Sequence, residues 1–412
     1  MNIPLRHCRV CLGERLTPFL SLGKMPPINS FPAGEDDFVA EKFFDLTVAF
    51  CEDCSHAQLT EALDPKAVFS DYVYFSSMSD TFVAHGRELA MELKEKMKLS
   101  EKDLVAEIAS NDGALLQSFK SLPTRILGIE PARNIATVAR ERGFPTVVEF
   151  FTEELGKRLR EEYGPARIIL GTNVLAHVLD LRDFVRGIRS FLADDGAAVI
   201  EVPYLVNLID GLEFDTIYHE HLSYFRVEVL DRLFQSEGLL LFDAERIPLH
   251  GGSLKVFIGH PNGPHERTAR VGELIAFERE RDLGTIAPYQ AFALRVAAVR
   301  ERTLEFLRGL HDAGTHIAGY GAAAKGNVFL NYCQVGPDLI EFIADRSPHK
   351  QGRFTPRNHI PVVAPEEILR RMPDILVIFA WNFADEIIFQ QSEYRQRGGK
   401  FAMLLPEPRV IL

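Results

Sequence analysis

Four cysteines stand in two matching knuckles, Cys8-x-x-Cys11 and Cys51-x-x-Cys54, with 39 residues between them. Two such knuckles can bring four thiolates to the corners of a tetrahedron around one zinc ion, at ~2.3 Å. Four thiolates leave no open coordination position, so the metal would hold structure rather than perform chemistry. The competing reading is two redox-active or free thiol pairs. Cys333 stands alone in an apolar helical stretch, as a buried inert thiol does. A second concentration of chemistry is FDTIYHEHLSYF, residues 214–225. Tyr218, Glu220 and His221 offer a hydrogen-bond donor, an orienting carboxylate and a base. An imidazole pKa near ~6.5 suits proton removal at neutral pH. His219 and His221 beside Glu220 could instead hold a catalytic metal, but no HExxH pattern or obvious third ligand accompanies them.

A third group lies in LVAEIASNDG, Leu104 to Gly113, which reads as a strand running into a tight turn and then a helix. Such a turn presents a ligand at the carboxyl end of a parallel sheet. It has one glycine and two acids, Glu107 and Asp112, so it is not the three-glycine dinucleotide fingerprint. An anionic pyrophosphate would be repelled there; a cationic sulfonium amino acid would not. Glu130 follows Glu107 by 23 residues and can accept the hydroxyls of an adenosine ribose. Asn173 and His177, in GTNVLAH, end a later strand near the same cleft. Together these residues read as an S-adenosylmethionine site of the class I methyltransferase type.

The elements that must carry these groups alternate. Strands are expected at Leu104–Ile108, Arg125–Ile129, residues 146–148, 167–170, 197–202 and 239–243, with helices between them. Residues 254–258 are expected to pair antiparallel with 239–243. A second strand–helix series is expected from His316, with strands at 316–320, 339–344, 375–380 and 401–405. The expected fold class is α/β. A zinc-binding module spans 1–70, a central Rossmann-like methyltransferase domain 71–263, a helical connector 264–311 and a C-terminal Rossmann-like domain 312–412. The 412 residues are 46% hydrophobic and 25% charged, ordinary for globular domains, which excludes fibrous and disordered classes. The net charge of −12, with basic residues scattered among acids, argues against nucleic acid and anionic membranes as partners. No apolar run is long enough for a membrane span, and residues 1–8 lack a signal core, so a cytoplasmic location is expected. A monomer is expected.

The chain resembles the zinc-containing C-methyltransferases of nucleotide-linked deoxysugars, such as those that methylate C-3 of TDP-4-keto-deoxysugars. The resemblance covers nearly the whole chain. It is carried by the CxxC pairs, YVYFSS (72–77), EIASNDG (107–113), GIEP (128–131), NVLAH (173–177), DTIYHEH (215–221), HGGS (250–253) and GYGAAAKG (319–326). It implies methyl transfer to the carbon beside the sugar ketone, after proton removal and enolate formation. It further implies that His221 is the base, that Glu220 or Tyr218 orients it or meets the oxyanion, and that Tyr72 and His177 hold the sugar. Ala109 and Asn111 to Gly113 would cradle the methionine part, Glu130 and Pro131 the ribose, and Asn173 would lie under the cofactor. Phe150 and Phe151 would flank the adenine or simply pack in the core. Tyr74, Ser77, His250, Ser253, Lys255, Tyr320, Lys325 and Asn382 are the substrate candidates, with Lys325 set towards the diphosphate. Lys255 stands where arginine is frequent in the family. Three rivals remain: an NAD-dependent oxidoreductase using the C-terminal glycine loop with Asp345, an O-methyltransferase, and a non-enzymatic assembly protein using the zinc module.

Overall fold

A computed structural model describes residues 2–70, 72 and 75–411, and for His250 the backbone alone. Tyr74 therefore lies outside the described residues. The N-terminal module contains β1 (Asn2–Pro4), β2 (Leu16–Met25), β3 (Phe44–Cys51), β4 (Ala57–Leu59) and β5 (Glu61–Leu63). β2, β3 and β4 form an antiparallel sheet, and β1 pairs with β5.

The central sheet uses β6 (Leu104–Ile108), β7 (Arg125–Ile129), β8 (Thr146–Val147), β9 (Ala166–Thr172), β10 (Leu192–Pro203), β12 (Leu240–Ile247) and β13 (Ser253–Gly259). Its order is β12-β13-β10-β9-β6-β7-β8. β8, β7, β6, β9 and β10 run parallel, and β13 runs antiparallel to both neighbours. The expected antiparallel pairing of 239–243 with 254–258 is present. β6 shows why both faces are covered: Leu104, Ala106 and Ile108 join one core, and Val105 joins the other. The helix Asp80–Met97 covers the second face with Phe82, Leu89, Leu93 and Met97, spaced by seven, four and four residues. The Ser79 side chain accepts from the Phe82 N–H and starts that helix. Each large apolar side chain so buried contributes ~1.5–3 kcal/mol.

One short strand, β11 (Ser223–Tyr224), leaves the central region altogether. It adds to β4 and becomes the edge of the N-terminal sheet. The sequence pattern gave no sign of this, because two residues carry no periodicity.

The connector is two helices, Ala269–Arg279 and Ala287–Asp312. The longer one buries Tyr289, Phe292, Val296, Val299, Thr303 and Leu307 along one face, and Tyr289 packs on Phe19 and Phe50 of the N-terminal module. The C-terminal sheet comprises β14 (Ile317–Tyr320), β15 (Ile343–Ala344), β16 (Val362–Val363), β17 (Ile375–Ile378), β18 (Lys400–Met403) and β19 (Arg409–Ile411). Its order is β16-β15-β14-β17-β18-β19, parallel except for the last strand. The chain is thus α/β, with two doubly wound sheets behind a cysteine-bearing module. Among the described residues, no helix is long and apolar enough to cross a membrane.

Candidate active site

β6 and β9 are neighbours, but the crossover from β6 goes first to β7 on its other side. The strand order therefore reverses between β6 and β9, which opens a crevice at their carboxyl ends. The loop after β6 fills its floor in an unusual backbone state. Ala109 (φ 54°), Asn111 (φ 49°) and, after β9, Asn173 (φ 55°) are all left-handed without being glycine. Such positions cost ~1–3 kcal/mol each and persist where surrounding structure enforces them. Gly113 (φ 80°) could not be replaced cheaply, since a Cβ there would lie 2.4 Å from the Phe144 ring.

Three acids converge on this loop. Glu130 accepts from the Asn111 N–H at 2.9 Å and the Ala132 N–H at 2.8 Å, and Pro131 continues the same turn. Asp112 is paired with Arg142 at 2.8 Å and accepts from the Ser77 hydroxyl. Glu107 is 4% exposed, and one carboxyl oxygen has no partner. Burial, then the charges of Glu130 and Asp112, push the Glu107 carboxyl well above the usual range, and burial raises Glu130. An orphaned acid in an acidic crevice fits a ligand with positive charge and hydroxyl donors.

The segment before the helix Asp80–Met97 straps this crevice to its surroundings. Ser76 N–H donates to Asn111 at 2.9 Å, and Tyr72 exchanges two backbone hydrogen bonds with the Asn134 side chain. The Tyr72 hydroxyl donates to Glu220 at 2.8 Å. Strap, the loop after β6 and the FDTIYHEH segment therefore meet.

His221 is held by one decisive bond: its Nδ1 lies 2.8 Å from the Thr216 carbonyl. A carbonyl only accepts, so Nδ1 carries the proton and Nε2 is left as a lone pair. Tyr218 packs against the imidazole with ring centroids 4.0 Å apart, and His177 meets it edge-on at 4.8 Å. Phe69 packs on both Tyr72 and His177. The five residues expected to act together are thus brought together. Burial, then His177, depresses the His221 pKa well below the ordinary value, with Lys325 adding to the effect. Burial takes His177 to about 4.

Glu220 does not orient His221. It is buried, and its carboxylate accepts from Tyr72 and, at 2.7 Å, from Asn29 of the N-terminal module. His219 turns the other way, with its Nε2 3.3 Å from the Phe44 carbonyl. The His-x-His pair therefore diverges and makes no metal site. Among the described residues the cluster suited to a metal is Cys8, Cys11, Cys51 and Cys54, with all four sulfurs within 4.8 Å of one another. Cys8 and Cys54 Sγ are 3.4 Å apart and Cys11 and Cys51 3.6 Å, too far for disulfides and close to the ~3.8 Å edge of a zinc–thiolate tetrahedron. The Val10 N–H and Cys11 N–H point at the Cys8 sulfur, so this donor set fits zinc.

Three family profiles cover most of the chain: a zinc binding domain over 8–69, a methyltransferase domain over 82–242 and a C-methyltransferase C-terminal domain over 248–406. C-methyltransferase NovU of Streptomyces niveus is 38% identical over 408 residues, spanning 99% of this chain and 97% of NovU. The chain belongs to the C-methyltransferase family. Solved structures resemble it over less than half of its length. Magnesium protoporphyrin IX methyltransferase (ChlM) of Synechocystis PCC 6803 with bound SAH is 10% identical, with TM-score 0.35, over 43% of this chain and 83% of that one. An S-adenosylmethionine-dependent methyltransferase of Clostridium acetobutylicum ATCC 824 is 11% identical, with TM-score 0.34, over 42% of this chain and 90% of that one.

As a C-methyltransferase the chain uses S-adenosylmethionine and carries a zinc-binding module. Several expected residues lie away from the crevice. Lys255 is on β13, buried between Glu92 at 2.6 Å and Glu245, which raise its pKa against the cost of burial. Its ammonium is thus committed to two carboxylates of its own domain. Phe151 packs on Phe184 in the main core, and Phe150 is half-buried beside it. Ser253 is buried, and its hydroxyl closes the Leu249–Gly251 turn by donating to Leu249 O at 3.1 Å. His250 lies in that turn. Tyr320 is buried at the end of β14. Lys325 sits 4.2 Å over the Trp381 ring, next to Asn382. Trp381 in turn donates to Asp215 at 2.7 Å. Burial lowers the Lys325 pKa, opposed by Asp215 and Glu213, and burial brings Glu213 to about 7. Two carboxyls make a poor phosphate cradle, and Lys325 faces the catalytic segment instead. Asp345 accepts from Ser347 N–H, and its charge is paired with the Lys350 ammonium. Sequence reasoning missed Asn29, Asn134 and the Thr216 carbonyl; nothing local marks them, because each acts through fold-level contacts.

Proposed function

We propose that this C-methyltransferase acts on the carbon beside the ketone of a nucleotide-linked 4-keto-deoxysugar, with His221 as the base. The observation that supports the reading is the Nδ1–H to Thr216 bond, which leaves the Nε2 lone pair unprotonated on a ring that packs against His177 and Tyr218. Carbon is not nucleophilic until its proton leaves, so a C-methyltransferase needs such a lone pair. When bound, S-adenosylmethionine supplies an electrophilic methyl group. Glu130 would hold its ribose, and the backbone of Ala109 and Asn111–Gly113 its amino-acid part.

The depressed pKa favours the neutral His221 imidazole, the form a base needs. The same effect weakens its pull on the substrate proton. The enolate oxygen must therefore be stabilised from elsewhere, and one well-placed donor supplies ~3 kcal/mol. The Lys325 ammonium and the Tyr218 phenol are the groups for this role. Base catalysis of this kind contributes ~10²–10⁴-fold.

The test is to incubate the protein in deuterated water with S-adenosylhomocysteine and a keto-sugar nucleotide. Deuterium should enter beside the ketone, and labelled S-adenosylmethionine should place its methyl on that carbon. Methyl found on oxygen without deuterium exchange would exclude this reading.

A further inference from the structure

A guanidinium from the first cysteine knuckle bridges the two segments that carry His177 and His221. Arg9, between Cys8 and Cys11, is buried. Its Nη2 donates to the Leu179 carbonyl at 3.1 Å, and its Nη1 donates to the Ser223 hydroxyl. Leu179 follows His177 by two residues, and Ser223 follows His221 by two. The second knuckle meets the same hydroxyl: His56, two residues after Cys54, places its Nε2 2.9 Å from Ser223 Oγ. The Arg9 backbone is fixed as well. Its N–H donates at 2.8 Å to the Gln58 side chain, and Gln58 stands opposite Ser223 in the β4–β11 pair.

The bridged segments are also joined backbone to backbone. The Leu222 N–H donates to the Ala176 carbonyl at 2.7 Å, and the Leu222 carbonyl accepts from the Leu59 N–H of β4 at 3.1 Å. Ala176 precedes His177 and Leu222 follows His221, and the two imidazoles meet at 4.8 Å. A shift of β11 would therefore move one ring against the other. Charge accounts for a guanidinium in this place. Both acceptors of its side chain are neutral, a carbonyl and a hydroxyl. A buried cation needs an anion near it. Four thiolates outweigh a divalent ion, so the metal-filled cluster next to Arg9 is that anion.

We infer that Arg9 is a positioning residue for methyl transfer: it clamps the His177 and His221 segments together, so that the zinc-binding module sets the placement of the base. This rests on the reading of His221 given above and adds the residue that holds it. A displacement of ~1 Å at a reacting group costs ~10²-fold in rate.

The test compares Arg9→Gln and Ser223→Ala in the full chain, with Lys255→Met as a control that lowers stability away from the clamp. Zinc content should stay at the wild-type level in all three. Arg9→Gln and Ser223→Ala should each lower kcat by about 10-fold or more, with sugar KM and S-adenosylhomocysteine affinity within about 3-fold. Nitrogen-labelled histidine should show the His221 ring signals displaced in both, and unmoved in Lys255→Met. Ser223→Ala keeps the guanidinium and its charge, so it carries the test should Arg9→Gln not fold. Wild-type kcat with unmoved His221 signals in a folded, zinc-loaded variant overturns the inference. So does a loss of kcat that merely follows lost zinc or lost cofactor affinity. Unchanged turnover in His221→Asn would instead overturn the reading on which it rests, whatever Arg9 does.

Discussion

The protein contains the same kind of crevice twice. In the central sheet the order reverses between β6 and β9; in the C-terminal sheet it reverses between β14 and β17. Each crevice has a loop after its first strand and an acid just beyond its second, Glu130 in one and Asp345 in the other. The contents differ. The central loop is left-handed at Ala109 and Asn111 and faces an orphaned Glu107 oxygen. The C-terminal loop turns on Gly321 (φ 92°), and the Lys350 ammonium lies within 2.9 Å of the Ala322 carbonyl and 3.3 Å of Asp345. One crevice keeps unsatisfied charge that a ligand must answer. The other has already answered its own. A shared topology thus says where a ligand could bind, and side chains decide whether it does.

The largest effect should come from the proposed base, His221, beside the central crevice. His221→Asn should lower kcat by about 10²–10⁴-fold and leave S-adenosylhomocysteine affinity within about 2-fold. Single-turnover kinetics with labelled cofactor would measure both. Near-normal turnover would remove His221 from the mechanism and leave the central crevice as a binding site only.

The two acids offer the most direct contrast. Glu130→Ala should weaken cofactor binding by about 10–100-fold, the worth of a charge-assisted hydrogen-bond set. Asp345→Ala should leave it within about 2-fold and lower Tm, since Lys350 loses its partner. Calorimetric titration of both variants settles the contrast. Equal losses would mean that the second crevice also takes part in cofactor binding.

Much of this was open to reading in the sequence where the signal was local. EIASNDG is legible as the turn out of a buried strand because strand, turn and helix fall within a few residues. The CxxC spacing marks the thiolate cluster for the same reason. Leu104–Ile108 reads as a buried strand, and the two-sheet α/β layout follows from repeated units. Contacts across the fold were not readable. Asn29 meets Glu220 across 191 residues, and Ser223–Tyr224 joins a sheet built mostly from residues 16–59. Phe151, which packs on Phe184, shows that a phenylalanine in a loop carries no mark in the sequence of which face it takes.

Protonation gives a subtler contrast. Glu107 and Glu130 have raised pKa values in the free protein, chiefly from burial. A cationic ligand with hydroxyl donors favours their ionised forms, so binding lowers those pKa values and releases protons. Affinity should therefore fall as pH drops through the free-protein values, by at most about tenfold per pH unit per group. Titrations in two buffers of different ionisation enthalpy would show the release, and Glu107→Gln should remove part of it. No buffer dependence would mean the acids are already ionised before the ligand arrives.

The smallest effect on chemistry is expected at Lys255, which lies outside both crevices. Its ammonium is 6% exposed between Glu92 and Glu245, whose own side chains are about a quarter exposed. Replacing it removes a half-buried ion pair and leaves two acids that can still reach water. The cost should be about 1–3 kcal/mol of stability, below that of breaking a fully buried pair. Lys255→Met should therefore lower the denaturant midpoint while kcat/KM for the sugar stays within about 3-fold. A sugar KM raised tenfold or more at unchanged stability would return Lys255 to the substrate site, and would mean that ligand contacts reach past the crevice to the antiparallel end of the central sheet.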